Sequence, residues 1–266
     1  MMNRVFYALC FHELLERTRD KWVVTLSALF AVLAGAVSLY GVNADTSVVN
    51  LSGPSLVTLA SLFVPLVALM LGHDSIVSER ERNTLGLLLS LPVRRTEVLL
   101  AKFLGRTMAL CCAVLLGLGG AVLVSSPGEQ DVLLALIGPT MLLGVVFLSI
   151  GVGISCLVSR QVTSASVSVV IWFLLVFFFD LAILGLLIVS DGAIGEEVVS
   201  SLVYANPAGL YRVEMMSYFL GSNASQVFTE GMVLPSRLVR GCIWIGWILL
   251  PLCLGGYTLN RLRSIR

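Results

Sequence analysis

The chain has 266 residues, 58% hydrophobic and 12% charged, with a formal net charge of +1. That balance excludes an ordinary water-soluble globule and identifies an integral membrane protein, whose charges matter by position and not by sum. Nothing in it suggests nucleic-acid binding, and six cysteines without a CxxC pair read as packing residues, not as a disulfide frame or a metal site.

Residues 1–21 put Tyr7, Phe11, Leu14, Leu15 and Thr18 on one helical face and His12, Glu13, Glu16, Arg17, Arg19 and Asp20 on the other. This predicts an amphipathic helix lying in the interface plane and ending at the anchor pair Lys21-Trp22. The acids among its bases, and the length of the apolar run that follows, argue against a cleavable signal. Residues 22–42 carry no charge and form the first predicted span, with Ser27, Ala31 and Gly35 as a small-residue stripe that lets another helix approach. A second span follows over about residues 56–72, with a kink expected at Pro65, and His73 and Asp74 at its end read as wet interfacial groups.

Residues 78–106 are the one long charged interruption. Glu79, Arg80, Glu81 and Arg82 lead into an apolar run from Leu85 to Leu91, which Pro92 stops. After Val93, Arg94 and Arg95, Thr96 is placed to cap a new helix, with Glu97 at its positive end. Lys102 and Arg106, four residues apart, are expected to reach back to the headgroups as that helix enters the bilayer. A helix, a proline break and a second helix that dives form a bracket at the membrane surface, offering a docking element to a soluble partner.

The third span covers about 103–124, with a small-residue stripe at Ala113, Gly117 and Ala121. A turn over 125–131 leads to a fourth span, 132–158, with a break expected at Pro139; a tight return at 159–162 gives a fifth, 164–190. Asp180 is the only acid deep inside any span, so it must face protein or water, in a pathway, at a subunit interface or in a packing contact. No lysine or arginine within a span is deep enough to pair with it. Residues 191–240 form the longest extramembrane stretch, in which Asn206-Pro207 starts a helix that Gly221 stops. The sixth span is about 241–260, making the chain a single all-α permease-like domain of six spans.

With the amino end inside, fourteen of the seventeen basic residues fall on the cytoplasmic side, so both termini and the bracket are expected there. The chain has no GxxxxGK[ST] phosphate loop, and with only His12 and His73 it has no HExxH motif or serine triad. It reads as no enzyme, and without a bound cofactor or metal of its own. Tyr211, Arg212, Met215 and Met216 are residue types that anchor protein interfaces, although resting on the membrane or on the spans is the more natural use of most of that helix's apolar face. Met215, Met216 and Met232 offer soft thioethers, more often packing than copper ligands.

The bracket resembles the coupling segment of ABC-2 type transporter permeases: acids at Glu79 and Glu81, the pair Thr84-Leu85, leucines at Leu87, Leu88 and Leu89, then Pro92, Arg94-Arg95 and Lys102-Phe103-Leu104-Gly105. One departure is Asn83, where that pattern commonly has glycine. The resemblance implies that Glu79, Arg80, Glu81, Thr84, Leu85, Leu88, Leu89, Pro92, Arg94 and Arg95 contact a separate ATPase subunit, which binds the ATP and magnesium. The stretches 72–80, 172–192 and 206–212 are similar to a permease subgroup that serves maturation of nitrous oxide reductase. That similarity implies a dimeric membrane unit linked to copper-site assembly. It also implies a periplasmic β-helix partner, for which Asn206, Pro207, Tyr211, Arg212, Met215 and Met216 are candidate contacts. A lipid or drug exporter of the same family, and a non-transporting membrane anchor or assembly scaffold, remain the alternatives.

Overall fold

The computed structural model describes residues 2–19, 21–41, 49–88, 94–123, 125, 127–190, 195–220 and 234–261. Every regular element among them is helical: α1 (Met2–Thr18), α2 (Lys21–Gly41), α3 (Val49–Gly72), α4 (Val77–Glu81), α5 (Leu85–Leu88), α6 (Arg95–Val122) and α7 (Pro127–Leu157). Then come α8 (Gln161–Phe173), a π-helical turn (Leu174–Phe178), α9 (Phe179–Val189), α10 (Glu196–Ala205), α11 (Pro207–Leu220) and α12 (Arg237–Arg261). Among the described residues, five stretches, 53–81, 95–122, 130–157, 161–189 and 237–261, are long and apolar enough to cross a bilayer. The sequence predicts six. The expected first span coincides with α2, a 21-residue helix without a charge after Lys21, in which Val23–Val32 forms a shorter apolar stretch among the described residues.

The core is built on α3, α6 and α7. α7 packs along α3 and α12, while α6 carries α1 and α2 on its other flank. Glycines set the distances. A Cβ on Gly72 would lie 2.8 Å from Leu148 O, and one on Gly151 would lie 2.9 Å from Leu69 O, so α3 and α7 touch backbone to backbone. The two predicted small-residue stripes meet only at Ser27, whose Oγ donates to Ala113 O (3.1 Å) and which lies with Phe30 against Gly117; Ala31 is exposed and a Cβ on Gly35 would meet nothing within 4 Å. Helices α3, α7 and α12 run through their internal prolines, so the break expected at Pro139 is absent. Packed neighbours hold such a helix together where an isolated one would open.

Helix α1 is a correction of a different kind. Its apolar residues Tyr7, Phe11 and Leu15 stay exposed, as an interfacial helix requires, whereas Glu13 on the polar face is buried against α6. Gly105 permits the approach, since a Cβ there would sit 2.7 Å from Cys10 O. At the opposite end of the bundle, α11 lies against α3 and α7. The Tyr211 hydroxyl is buried there and shares a hydrogen bond with Thr140 Oγ1 (2.9 Å).

The backbone contact between α3 and α7 gives a direct test. Gly151→Ala pushes a methyl group into Leu69 O, an overpacking worth about 1–3 kcal/mol, and should lower the melting temperature in detergent. Gly119→Ala, which meets nothing within 4 Å, should leave it unchanged or slightly raised.

Candidate functional site

The bracket between α3 and α6 is the candidate site, and its local structure follows from where its backbone groups find partners. Ile76 cannot cap α4 with its own side chain, so the amides of Ile76 and Val77 donate to Ser155 Oγ on α7 (2.9 and 3.0 Å). At the other end, Asn83 N donates to Arg80 O (3.2 Å) and Thr84 N to Glu79 O (3.0 Å), with Asn83 at φ 57°. This pair of bonds closes a helix through a left-handed residue, where glycine fits best and asparagine next. The departure at Asn83 therefore preserves the turn. Thr84 also donates from its hydroxyl to the Glu79 carboxylate, and Leu85 packs on the core. Leu88 ends α5, while Leu89 and Pro92 lie outside the described residues. Helix α6 starts at Arg95, one residue before the expected cap. Glu97 Oε2 accepts from Arg94 N (2.8 Å), so Arg94 is the cap residue and Thr96 is left exposed.

Three bracket side chains close the ends of other helices. Arg80 donates to Val158 O (2.7 Å) and Cys156 O (3.2 Å), at the end of α7. Glu81 Oε1 accepts from Gln161 N (2.8 Å), at the start of α8, and Arg95 donates to Leu259 O (2.9 Å) near the end of α12. Helix carboxyl ends carry partial negative charge and amino ends partial positive charge, so two cations and one anion each sit where the dipole favours them. The sequence expectation faced Arg80, Glu81 and Arg95 toward a partner; here they fasten the fourth, fifth and sixth predicted spans to the bracket. Glu81 remains exposed while doing so, beside the exposed Arg82, Asn83, Gly86 and Arg94.

Behind the bracket lies a cluster that the sequence reading missed. Arg106, with no solvent exposure, donates from Nε to Glu13 (2.6 Å) and from Nη1 to Asp74 and to Leu71 O. Lys102 bridges Glu13 (3.3 Å) and Glu79 (3.2 Å), and Arg17 reaches Asp74 (2.9 Å). Lys102 and Arg106 therefore do not reach for headgroups, and Asp74 is not a wet interfacial group. Three cations and three carboxylates neutralise each other, which is the condition for burying any of them. Burial opposes ionisation of Glu13, but Arg106, Lys102 and Arg17 outweigh it and hold its carboxyl below the usual range. A signal was available: Lys102 and Arg106 are two cations four residues apart on one face of a mostly apolar helix, a like-charged pair that calls for anions from another element.

Toward the opposite end, Asp180 has a basic partner, contrary to expectation. Arg212 reaches it from α11, with Nη2 donating to Oδ1 at 2.8 Å and Nη1 facing Oδ2. The partner is not in any span, which is why a search of the spans failed. Asn206 caps α11 as predicted, its Oδ1 accepting from Ala208 N (3.1 Å), with Pro207 first in the helix. Its Nδ2 also donates to Leu175 O (2.6 Å) in the π-helical turn, whose widened ladder leaves a carbonyl free for such a donor. Of the candidate partner contacts, Asn206, Tyr211 and Met215 are buried within the chain, and Arg212 and Met216 are half-buried. No group of three or more His, Cys, Asp or Glu able to hold a metal occurs among the described residues; Met232 lies outside them.

A helical membrane unit with a surface bracket fastened to its span ends matches the family described as ABC-2 family transporter protein over residues 7–262. The chain belongs to that family, whose permeases are membrane subunits with ATPase activity in a partner. It is 36% identical over 266 residues to a protein of Stutzerimonas stutzeri named "Probable ABC transporter permease protein NosY", covering 94% of this chain and 96% of that one. It is 34% identical over 253 residues to the Pseudomonas aeruginosa protein of the same name, covering 91% of each.

Two outcomes test the cluster. Arg106→Met leaves Glu13 to Lys102 and Asp74 to Arg17 with one buried cation too few, a loss of at most about 3–5 kcal/mol for a broken buried pair, and should appear as reduced thermal stability with α1 released to proteolysis. The second concerns acid. Because the folded pKa of Glu13 lies below its unfolded value of about 4.3, its contribution is complete above that pH and is lost as pH falls through the folded value. Glu13→Gln should therefore melt below the parent protein at neutral pH, with the gap narrowing once the pH drops under about 4.

Proposed function

We propose that the chain is the permease subunit of an inner-membrane ABC transporter, working as a homodimer with both termini cytoplasmic. In this reading it couples ATP hydrolysis by a NosF-type ATPase subunit to transport or conformational work that serves copper-site assembly of nitrous oxide reductase, with a NosD-type β-helix protein as periplasmic partner. The names of the two relatives support the subgroup. The observation that carries the mechanism is the fastening of the bracket to three helix ends through Arg80, Glu81 and Arg95. A push on the exposed side of α4 and α5 then reaches α7, α8 and α12 as a rigid displacement and does not dissipate in a loop. The half-buried contact of Asn206 with the π-helical turn passes motion of α8 and α9 on to α11.

The test is made in vesicles holding the chain and its ATPase. ATP should change the labelling rate of Tyr218→Cys on the exposed side of α11. Adding Arg80→Met and Glu81→Gln removes two charge-to-helix-end contacts, and should reduce that ATP-driven change roughly tenfold while the ATPase stays bound. An unchanged response in the triple variant would refute the coupling role.

One observation favours a hydrophobic cargo instead. A cleft of about 320 Å³ opens between α7, α8 and α12, lined among others by Ile154, Ile171, Leu175, Trp247 and Leu254 with almost no polar surface. ATP-dependent cross-linking of a photoactivatable lipid to Leu254 would select lipid or drug export over work on a periplasmic partner.

A further inference from the structure

The helix running from Gln161 to Val189 is the most apolar of the five spanning stretches and the least covered. Only 11% of its most apolar window is buried against the chain, compared with 67% for residues 53–81. Its exposed side carries a continuous stripe, Val170, Leu174, Phe177, Leu181, Leu184 and Ile188. Lipid alone would suit such a stripe. What lipid does not suit is the ion pair set into it: the Asp180 side chain is 42% exposed and that of Arg212 27%. Nine residues, about 14 Å of helix, separate Asp180 from the end at Val189, so the pair lies within the apolar stretch. A charged group facing hydrocarbon there costs roughly 2.5–3.5 kcal/mol.

The pair has unused bonding capacity. Each carboxylate oxygen of Asp180 meets one nitrogen of Arg212 and keeps a lone pair, while each terminal guanidinium nitrogen keeps one hydrogen. A symmetry axis along the membrane normal brings residues of equal depth together, and a two-fold contact is self-complementary. We propose that this face is where a second copy of the chain docks, and that the two Asp180–Arg212 pairs close into one ring of four alternating charges within the interface. The stripe supplies apolar contact on both sides of the ring, and the ring fixes depth and register, because sliding by one helical turn would set charge against leucine. The inference rests on the homodimer reading and specifies its face.

The experiment uses two differently tagged full-length chains in native membranes. The Asp180→Arg chain carries two cations at the face, and the Arg212→Asp chain two anions. Like charges opposed in an interface cost several kcal/mol. Each variant should therefore fail to capture itself, while the mixed pair should be recovered in at least roughly tenfold excess over either homotypic pair. The Asp180→Arg/Arg212→Asp double variant restores the internal pair and should self-associate like the parent protein. Should the single-site variants fail to fold, Leu184→Cys in a background without native cysteines should still cross-link to a second copy, and Leu116→Cys on the exposed side of α6 should not. Equal recovery of mixed and homotypic pairs, or cross-linking through Leu116→Cys in place of Leu184→Cys, would overturn the proposed face while leaving the dimer intact. Failure of the parent chains to associate at all would remove the dimer and the face together.

Discussion

A guanidinium with no access to water must find its counter-charges inside the protein, and at Arg106 that requirement organises one end of the molecule. Its two nearest anions come from α1 and from the turn after α3, elements far apart in sequence. Lys102, one turn earlier on α6, recruits the Glu79 carboxylate of α4. Helix, turn and bracket are thus held at fixed positions by electrostatics that hydrophobic packing alone would not specify, since apolar surfaces tolerate sliding and paired buried charges do not. The close approach of α1 at Gly105 is the steric counterpart of the same contact.

The bracket uses a second kind of electrostatics, weaker and more numerous. The unsatisfied amides and carbonyls at helix ends are obligatory hydrogen-bonding groups, and a membrane helix ending near protein has little water to serve them. Arg80, Glu81 and Arg95 fill that need for three different helices, and Ser155 returns the favour for α4. Position and connection are therefore obtained from the same few bonds. A segment that satisfies its neighbours' ends cannot move without taking them along.

Much of this was legible beforehand, and the misses have a common cause. Five of the six apolar runs of membrane length, the stripe through Ala113, Gly117 and Ala121 and the Asn206-Pro207 helix start depend on neighbours in sequence, and these appear where expected. Asp180 with Arg212, and Glu13 with Arg106, depend on folding that brings residues 32 and 93 positions apart into contact. Reading Lys102 and Arg106 as snorkelling side chains was reasonable for an isolated helix at an interface. It failed because a neighbouring helix offered carboxylates at shorter range than the headgroups. The interior face of α1 was misjudged for the same reason, a polar face being assumed to seek water when it had cations to meet.

The glycine contact between α3 and α7 has a mechanical consequence. Where side chains interdigitate, two helices can shift by changing rotamers; where main chains touch at Gly72 and Gly151, there is no compliant layer to deform. α3 and α7 are therefore held as one rigid pair. The helix from Gln161 to Val189, little covered by the rest of the chain, is attached through single side-chain bonds along its length, at Gln161, at the Trp172 indole, which donates to Leu62 O (2.9 Å), at Leu175 and at Asp180. Bonds made by side chains can follow a shift of this helix by changing rotamer, a freedom that the main-chain contact at Gly72 and Gly151 does not have.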